Sequence, residues 1–127
     1  MTVRGLLAGV FSLCAAAPAA AAPDAQRGEQ IYARCLACHA LTYDRVGPRH
    51  CGLFGRRAGS VPGFGYSPAM KNSKITWDAR ALDRFLAKPL AMVPGSTMTY
   101  DGVPDPNERA DLIAYLKRAN QSSECGK

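Results

Sequence analysis

Arg34 to Ala40 read RCLACHA, two cysteines three positions apart with a histidine directly after the second. Thiols and an imidazole at this spacing can cycle as a redox disulfide, supply part of a zinc site, or attach a haem. A structural zinc site needs about four ligands, usually including a second pair with its own short spacing. The remaining His50, Cys51 and Cys125 form no such pair. A thioredoxin-like site follows a strand in a βαβ context, whereas this motif ends a predicted helix in a chain without strand patterns. Haem attachment accounts for all three residues together. The thiols of Cys35 and Cys38 can add across the two vinyl groups of one porphyrin, and His39 is then placed to offer its imidazole to the iron from one face.

With His39 on one face, the residue at the sixth position separates electron transfer from chemistry on a bound small molecule. The candidates are Met70, Met92, Met98 and His50. Met98 lies in VPGSTMTY, where Pro94 and Gly95 break the preceding helix and hold an extended loop that can present a side chain at fixed depth. Met92 beside Leu90, and Met70 just after a helix start, read as packing residues. His50 follows His39 by eleven residues, and so short a loop does not carry it to the opposite face.

The elements that must position these residues are helices joined by loops rich in Gly and Pro, so the expected class is all-α. A first helix is predicted over Asp24 to Cys38, with Asp24 as N-cap and Ile31, Tyr32 and Cys35 on one side. Gly28 sits inside it, where glycine is unfavourable by ~1 kcal/mol; a frayed turn or the close crossing of a second helix would explain it. That second helix is predicted from Asp105 to about Asn120, with Asp105 as N-cap, Pro106 in the first turn, Glu108 as capping-box acid and Leu112, Ile113, Tyr115 and Leu116 as its apolar residues. Between them, Thr76 is expected to cap a helix carrying Trp77, Leu82, Phe85 and Leu86 until Pro89 stops it, and Ser67-Pro68 to open a shorter one. The segment from Ala40 to Tyr66, with six glycines and two prolines, reads as ordered loop. A loop of that length in a small domain makes sense when wrapped around a large flat cofactor.

The chain opens with Arg4 before an apolar run, LLAGVFSLCAAAPAA, which grades into AAAAP. This is the pattern of a secretory signal peptide, expected to span residues 1–22 and to be cleaved near Ala22. The apolar part falls short of the roughly 20 residues that span a bilayer, so stable membrane insertion is not expected. Cys14 falls within the leader. Residues 23–127 are then one small domain with a thin core, to which a bound cofactor contributes much of the buried apolar surface. The formal charge of +6, or +5 without Arg4, suits acidic partners or an anionic membrane surface. Nucleic acid is not an expected partner outside the cytoplasm, and the expected location is the periplasm.

CLACH, GPRHCGLFGR, PGFGYS, ITW, KPLAMVPGSTM and ERADLIAYLKRA occur in that order. The chain thereby resembles the class I c-type cytochromes of the mitochondrial and bacterial c2-like type, over essentially the whole segment after the leader and without gaps from Gly47 to Ala119. The resemblance implies an all-α class I cytochrome c fold. Its N- and C-terminal helices would cross near Gly28, Tyr32, Leu112 and Tyr115, and its loops would wrap one covalently bound haem c. It implies attachment through Cys35 and Cys38 and iron ligation by His39 and Met98. It further implies that the Pro48 carbonyl accepts the other ring N–H of His39, and that Tyr66, Trp77 and Arg56 hold and shield the propionates. Ordinary aromatic packing for Tyr66 and Trp77, and a solvated charge for Arg56, are the competing readings. Phe54, Phe64 and Leu86 are expected in the core.

The function implied is a soluble one-electron carrier, expected as a monomer, and not an enzyme. Its redox partners would be a donor such as a cytochrome bc1 complex or a dehydrogenase and an acceptor such as an oxidase or reaction centre. The alternative is a haem enzyme or a gas- or peroxide-binding protein with a labile Met98. It draws on two departures from the family: Phe85 where a tyrosine is common, and Met70 where an asparagine is common. The lysine ring expected around the haem edge is also mostly missing, since the positions near Met98 include Leu90, Ala91, Thr97, Pro104 and Asp105. Cys51 and Cys125 are expected to form a disulfide between the first loop and the chain end, with free or intermolecular thiols as alternatives.

Overall fold

The computed structural model describes residue 1 and residues 13–127. Much of the apolar run of the predicted leader falls in residues 2–12 and lies outside the described residues. Five α-helices follow: α1 (Ala25–Tyr32), α2 (Pro68–Asn72), α3 (Ala79–Ala87), α4 (Pro89–Met92) and α5 (Pro106–Asn120), with short 3-10 turns at Ala33–Cys35 and Ser123–Cys125. Among the described residues the only β feature is an isolated antiparallel bridge between Arg57 and Thr76.

The frame is the crossing of α1 and α5. Asp24 caps α1 by accepting from the N–H groups of Gln26 and Arg27, and Asp105 caps α5 by accepting from Asn107 and Glu108. Gly28 is the point of closest approach. A Cβ there would lie 1.9 Å from the Asp111 carbonyl oxygen and 2.8 Å from the Tyr115 Cβ, so only glycine lets the two backbones meet. Around that point the rings of Tyr32 and Tyr115 pack with centroids 5.1 Å apart, and Leu112 is 1 % exposed. Asp111 ties the ends together: its carboxylate accepts from the Asp24 N–H at 2.6 Å and from Arg27 Nε at 2.9 Å.

Three local expectations need correction. The first helix does not continue to Cys38, because the N–H groups of Cys38 and His39 both turn back to the Cys35 carbonyl, at 3.1 and 2.8 Å, and this tightens the chain before the histidine. Asp78, not Thr76, caps α3, with Oδ1 accepting from the Ala81 N–H at 2.7 Å. The backbone around Thr76 is already engaged with the loop, through Trp77 N–H to Arg56 C=O and Ala58 N–H to Ile75 C=O. Glu108 does not complete a capping box, since both its carboxylate oxygens accept from Arg34, at 2.8 and 2.9 Å. Pro89 does end α3, but it also opens the single turn of α4. Ser67 opens α2 as expected, its hydroxyl accepting from Met70 N–H.

Candidate functional site

Between α1, the long loop, α3, α5 and the segment after α4 lies a cleft of about 340 Å³. All eight residues singled out from the sequence line it: Cys35, Cys38, His39, Pro48, Arg56, Tyr66, Trp77 and Met98. They come from six separate stretches of chain.

The turn after α1 brings up the two thiols and the imidazole. Cys35 and Cys38 are not bonded to each other. Burial pushes the Cys35 thiol up to about 11, opposite to the lowered value that makes a redox Cys-x-x-Cys reactive. His39 Nδ1 lies 2.7 Å from the Pro48 carbonyl. A carbonyl can only accept, so Nδ1 carries the proton and Nε2 keeps its lone pair for a metal. Burial, against the effect of the Pro48 hydrogen bond, holds His39 below its ordinary value, which keeps that lone pair available at neutral pH.

Gly47, which sequence reasoning passed over, and His50 complete this side. Gly47 lies against the His39 ring, where an added Cβ would sit 2.2 Å from Cε1; no local signal distinguishes it from the other loop glycines. As the short loop from His39 predicts, His50 does not reach the far side of the cleft but stacks on His39, with ring centroids 4.3 Å apart and planes at 21°.

Met98 sits on the segment between α4 and α5. Its N–H donates to Ser96 Oγ at 3.2 Å, and Ser96 is itself buried. Beyond Met98 the segment is pinned to α3: Val103 N–H donates to the Leu86 carbonyl at 2.7 Å. Gly102, at φ +103, fits where a Cβ would strike that carbonyl at 2.5 Å. Arg109 secures the same end, donating to the carbonyls of Val103 and Pro104 and to Asp83 Oδ1 at 2.7 Å. Arg109 has no role legible in the sequence, because nothing near it in the chain names its partners.

The remaining predicted residues sit as follows. Trp77 is buried, edge-on to Phe85 at 4.9 Å. The Tyr66 hydroxyl accepts from the Val61 N–H at 3.2 Å. Arg56 donates to the carbonyls of Cys51 and Arg49 at 3.1 and 2.9 Å, and burial lowers its pKa. Among the described residues no carboxylate forms an ion pair with Arg56, and none lines the cleft. An apolar cleft with two thiols, a metal-ready imidazole, a thioether and a half-buried cation lacking an anion fits a flat apolar group that carries iron and its own carboxylates. A haem with its propionates meets that description.

At the far side of the loop, Cys51 and Cys125 are placed as a bonded pair with Cα atoms 5.2 Å apart, within the usual range for a disulfide.

Comparison with known proteins leads to the same group. The cytochrome c family profile matches residues 25–120. The chain is 44 % identical over 121 residues to cytochrome c2 of Blastochloris viridis, covering 93 % of this chain and 95 % of that protein. It is 47 % identical over 103 residues to cytochrome c2 of Rhodomicrobium vannielii, covering 79 % and 82 %. Among solved structures, cytochrome cH from Methylobacterium extorquens superposes with a TM-score of 0.73 at 43 % identity, covering 75 % of this chain and 98 % of that one. On fold, cleft and relatives together, the chain belongs to the class I c-type cytochromes, the family that carries one covalently attached haem c.

Proposed function

We propose that this protein is a one-electron carrier, with haem c attached through Cys35 and Cys38 and its iron ligated by His39 and Met98. Haem iron, when bound, supplies one reversible electron. The chain's task is to fix both axial groups and to leave no room for a reactant. Pro48 holds the His39 tautomer, and Ser96, Gly102 and Arg109 hold the segment that presents Met98. Trp77 and Tyr66 would shield the propionates, and Arg56 would compensate their charge. A thioether ligand and an apolar surrounding both disfavour the ferric state, so they raise the reduction potential.

The observation that carries this reading is the junction of a fixed imidazole and a thioether in one cleft that no carboxylate lines. With His39 and Met98 both on the iron, no free position would remain for a reactant. The working protein is residues 23–127, exported to the periplasm after loss of residues 1–22, with Cys51 and Cys125 oxidised to a disulfide. No helix among the described residues is long and apolar enough to cross a membrane. Donors of the cytochrome bc1 or dehydrogenase type and acceptors of the oxidase or reaction-centre type are the partners.

Titration of the holoprotein against an electrode, with carbon monoxide added to the ferrous form, tests the carrier role. The expected result is one reversible one-electron couple and no uptake of carbon monoxide. Uptake would instead show that a small molecule reaches the iron, and the carrier reading would fail.

A further inference from the structure

His39 is held by the strand-like approach of two loop segments. Gly47 N–H donates to the Cys38 carbonyl at 2.7 Å, His50 N–H to the Ala40 carbonyl at 3.1 Å and Cys51 N–H to the Leu41 carbonyl at 2.7 Å. The Pro48 carbonyl faces His39 Nδ1 within the same run. These pairings set residues 47–51 alongside residues 38–41 and bring the His50 ring over the His39 ring. Both rings line the cleft.

One hydrogen bond fixes one atom of an imidazole, but the ring can still rock about that point. A second planar ring stacked at 4.3 Å and 21° resists rocking, since tilting the first ring either opens the contact or drives it into the second. The stacked ring restrains only if it is itself restrained. Here the Tyr32 hydroxyl lies 2.9 Å from His50 Nδ1, and Tyr32 is 3 % exposed at the crossing of α1 and α5. An aliphatic side chain at position 50 would fill the same space without a plane to impose and without an atom for Tyr32 to hold.

We propose that His50 is a positioning residue that sets the plane of the His39 imidazole, and that Tyr32 transmits the geometry of the α1–α5 crossing to it. The proposal rests on His39 being an iron ligand. It adds that the orientation of that ligand, and so the anisotropy of the ferric iron, is set by a histidine that never touches the metal.

The test compares low-temperature electron paramagnetic resonance of the ferric holoprotein in the wild type, His50→Leu, His50→Phe and Tyr32→Phe. His50→Leu keeps the volume and loses the plane, so its low-spin g values should shift and broaden. His50→Phe keeps a planar ring but loses the atom that Tyr32 holds, so it should shift about as far as Tyr32→Phe and less than His50→Leu. Tyr32→Phe, which removes one oxygen, should shift in the direction of His50→Leu by a smaller amount, and it decides the matter alone if His50→Leu does not fold. A His50→Leu spectrum that superimposes on the wild type, or equal shifts in His50→Leu and His50→Phe, overturns the proposal, as does an unshifted Tyr32→Phe where only that variant folds. A wild-type spectrum without a low-spin imidazole-ligated signal is a separate result, and it would refute the ligation by His39 itself.

Discussion

Asp111 is a carboxylate 4 % exposed, and it accepts from the backbone of Asp24 and from two nitrogens of Arg27. The Arg27 hydrogen bond, then the Asp24 N–H, hold its carboxyl below the ordinary value of 3.8. A group more acidic folded than unfolded leaves the unfolded chain binding more protons, so its contribution is complete above its ordinary value and is lost as pH falls through its folded value. Asp111→Asn should therefore lower the thermal midpoint at neutral pH and flatten its fall below about pH 4; thermal melts of both proteins across that range check it. The sequence does not announce this residue, because its partners lie 84 and 87 positions away. The meeting of Cys35, Cys38 and His39 at the cleft was legible for the opposite reason, since it depends on local spacing. The place of Met98 at the cleft was legible through the Pro and Gly that precede it, whereas Gly47 and Arg109 act only through contacts that folding creates.

At the scale of elements, the crossing of α1 and α5 is the joint that holds the cleft's back wall, with Leu112 and Leu116 facing the cavity. Gly28→Ala places a methyl group against backbone atoms of α5 that cannot step aside. Overpacking of this kind costs typically 1–3 kcal/mol, and denaturant unfolding of the holoprotein should show a loss of at least about 1 kcal/mol. Both helices were readable, Gly28 as an exception to helix propensity and α5 through Asp105 and Pro106. The start of α3 and the end of the first helix were misplaced. A cap residue is visible in sequence, but the loop backbone that occupies Thr76, or the double acceptance at the Cys35 carbonyl, is not.

At the scale of the whole molecule, a long loop is folded around a cleft and its far edge is fastened to the chain end by Cys51 and Cys125, 74 residues apart. Closing a loop of that length restricts the unfolded chain and stabilises by roughly 4 kcal/mol. Cys125→Ser should lose a comparable amount, and the unfolded, unreduced mature holoprotein should show no reactive thiols; two reactive groups would contradict the bridge. Under the proposed function, loop, cleft and helical frame would serve one arrangement, an iron held between His39 and Met98. The absorption spectrum of the ferric holoprotein at neutral pH tests that arrangement most directly. It should be low-spin, with a weak red charge-transfer band from the thioether that disappears in Met98→Ala. A high-spin spectrum, or a red band that survives in Met98→Ala, would contradict it.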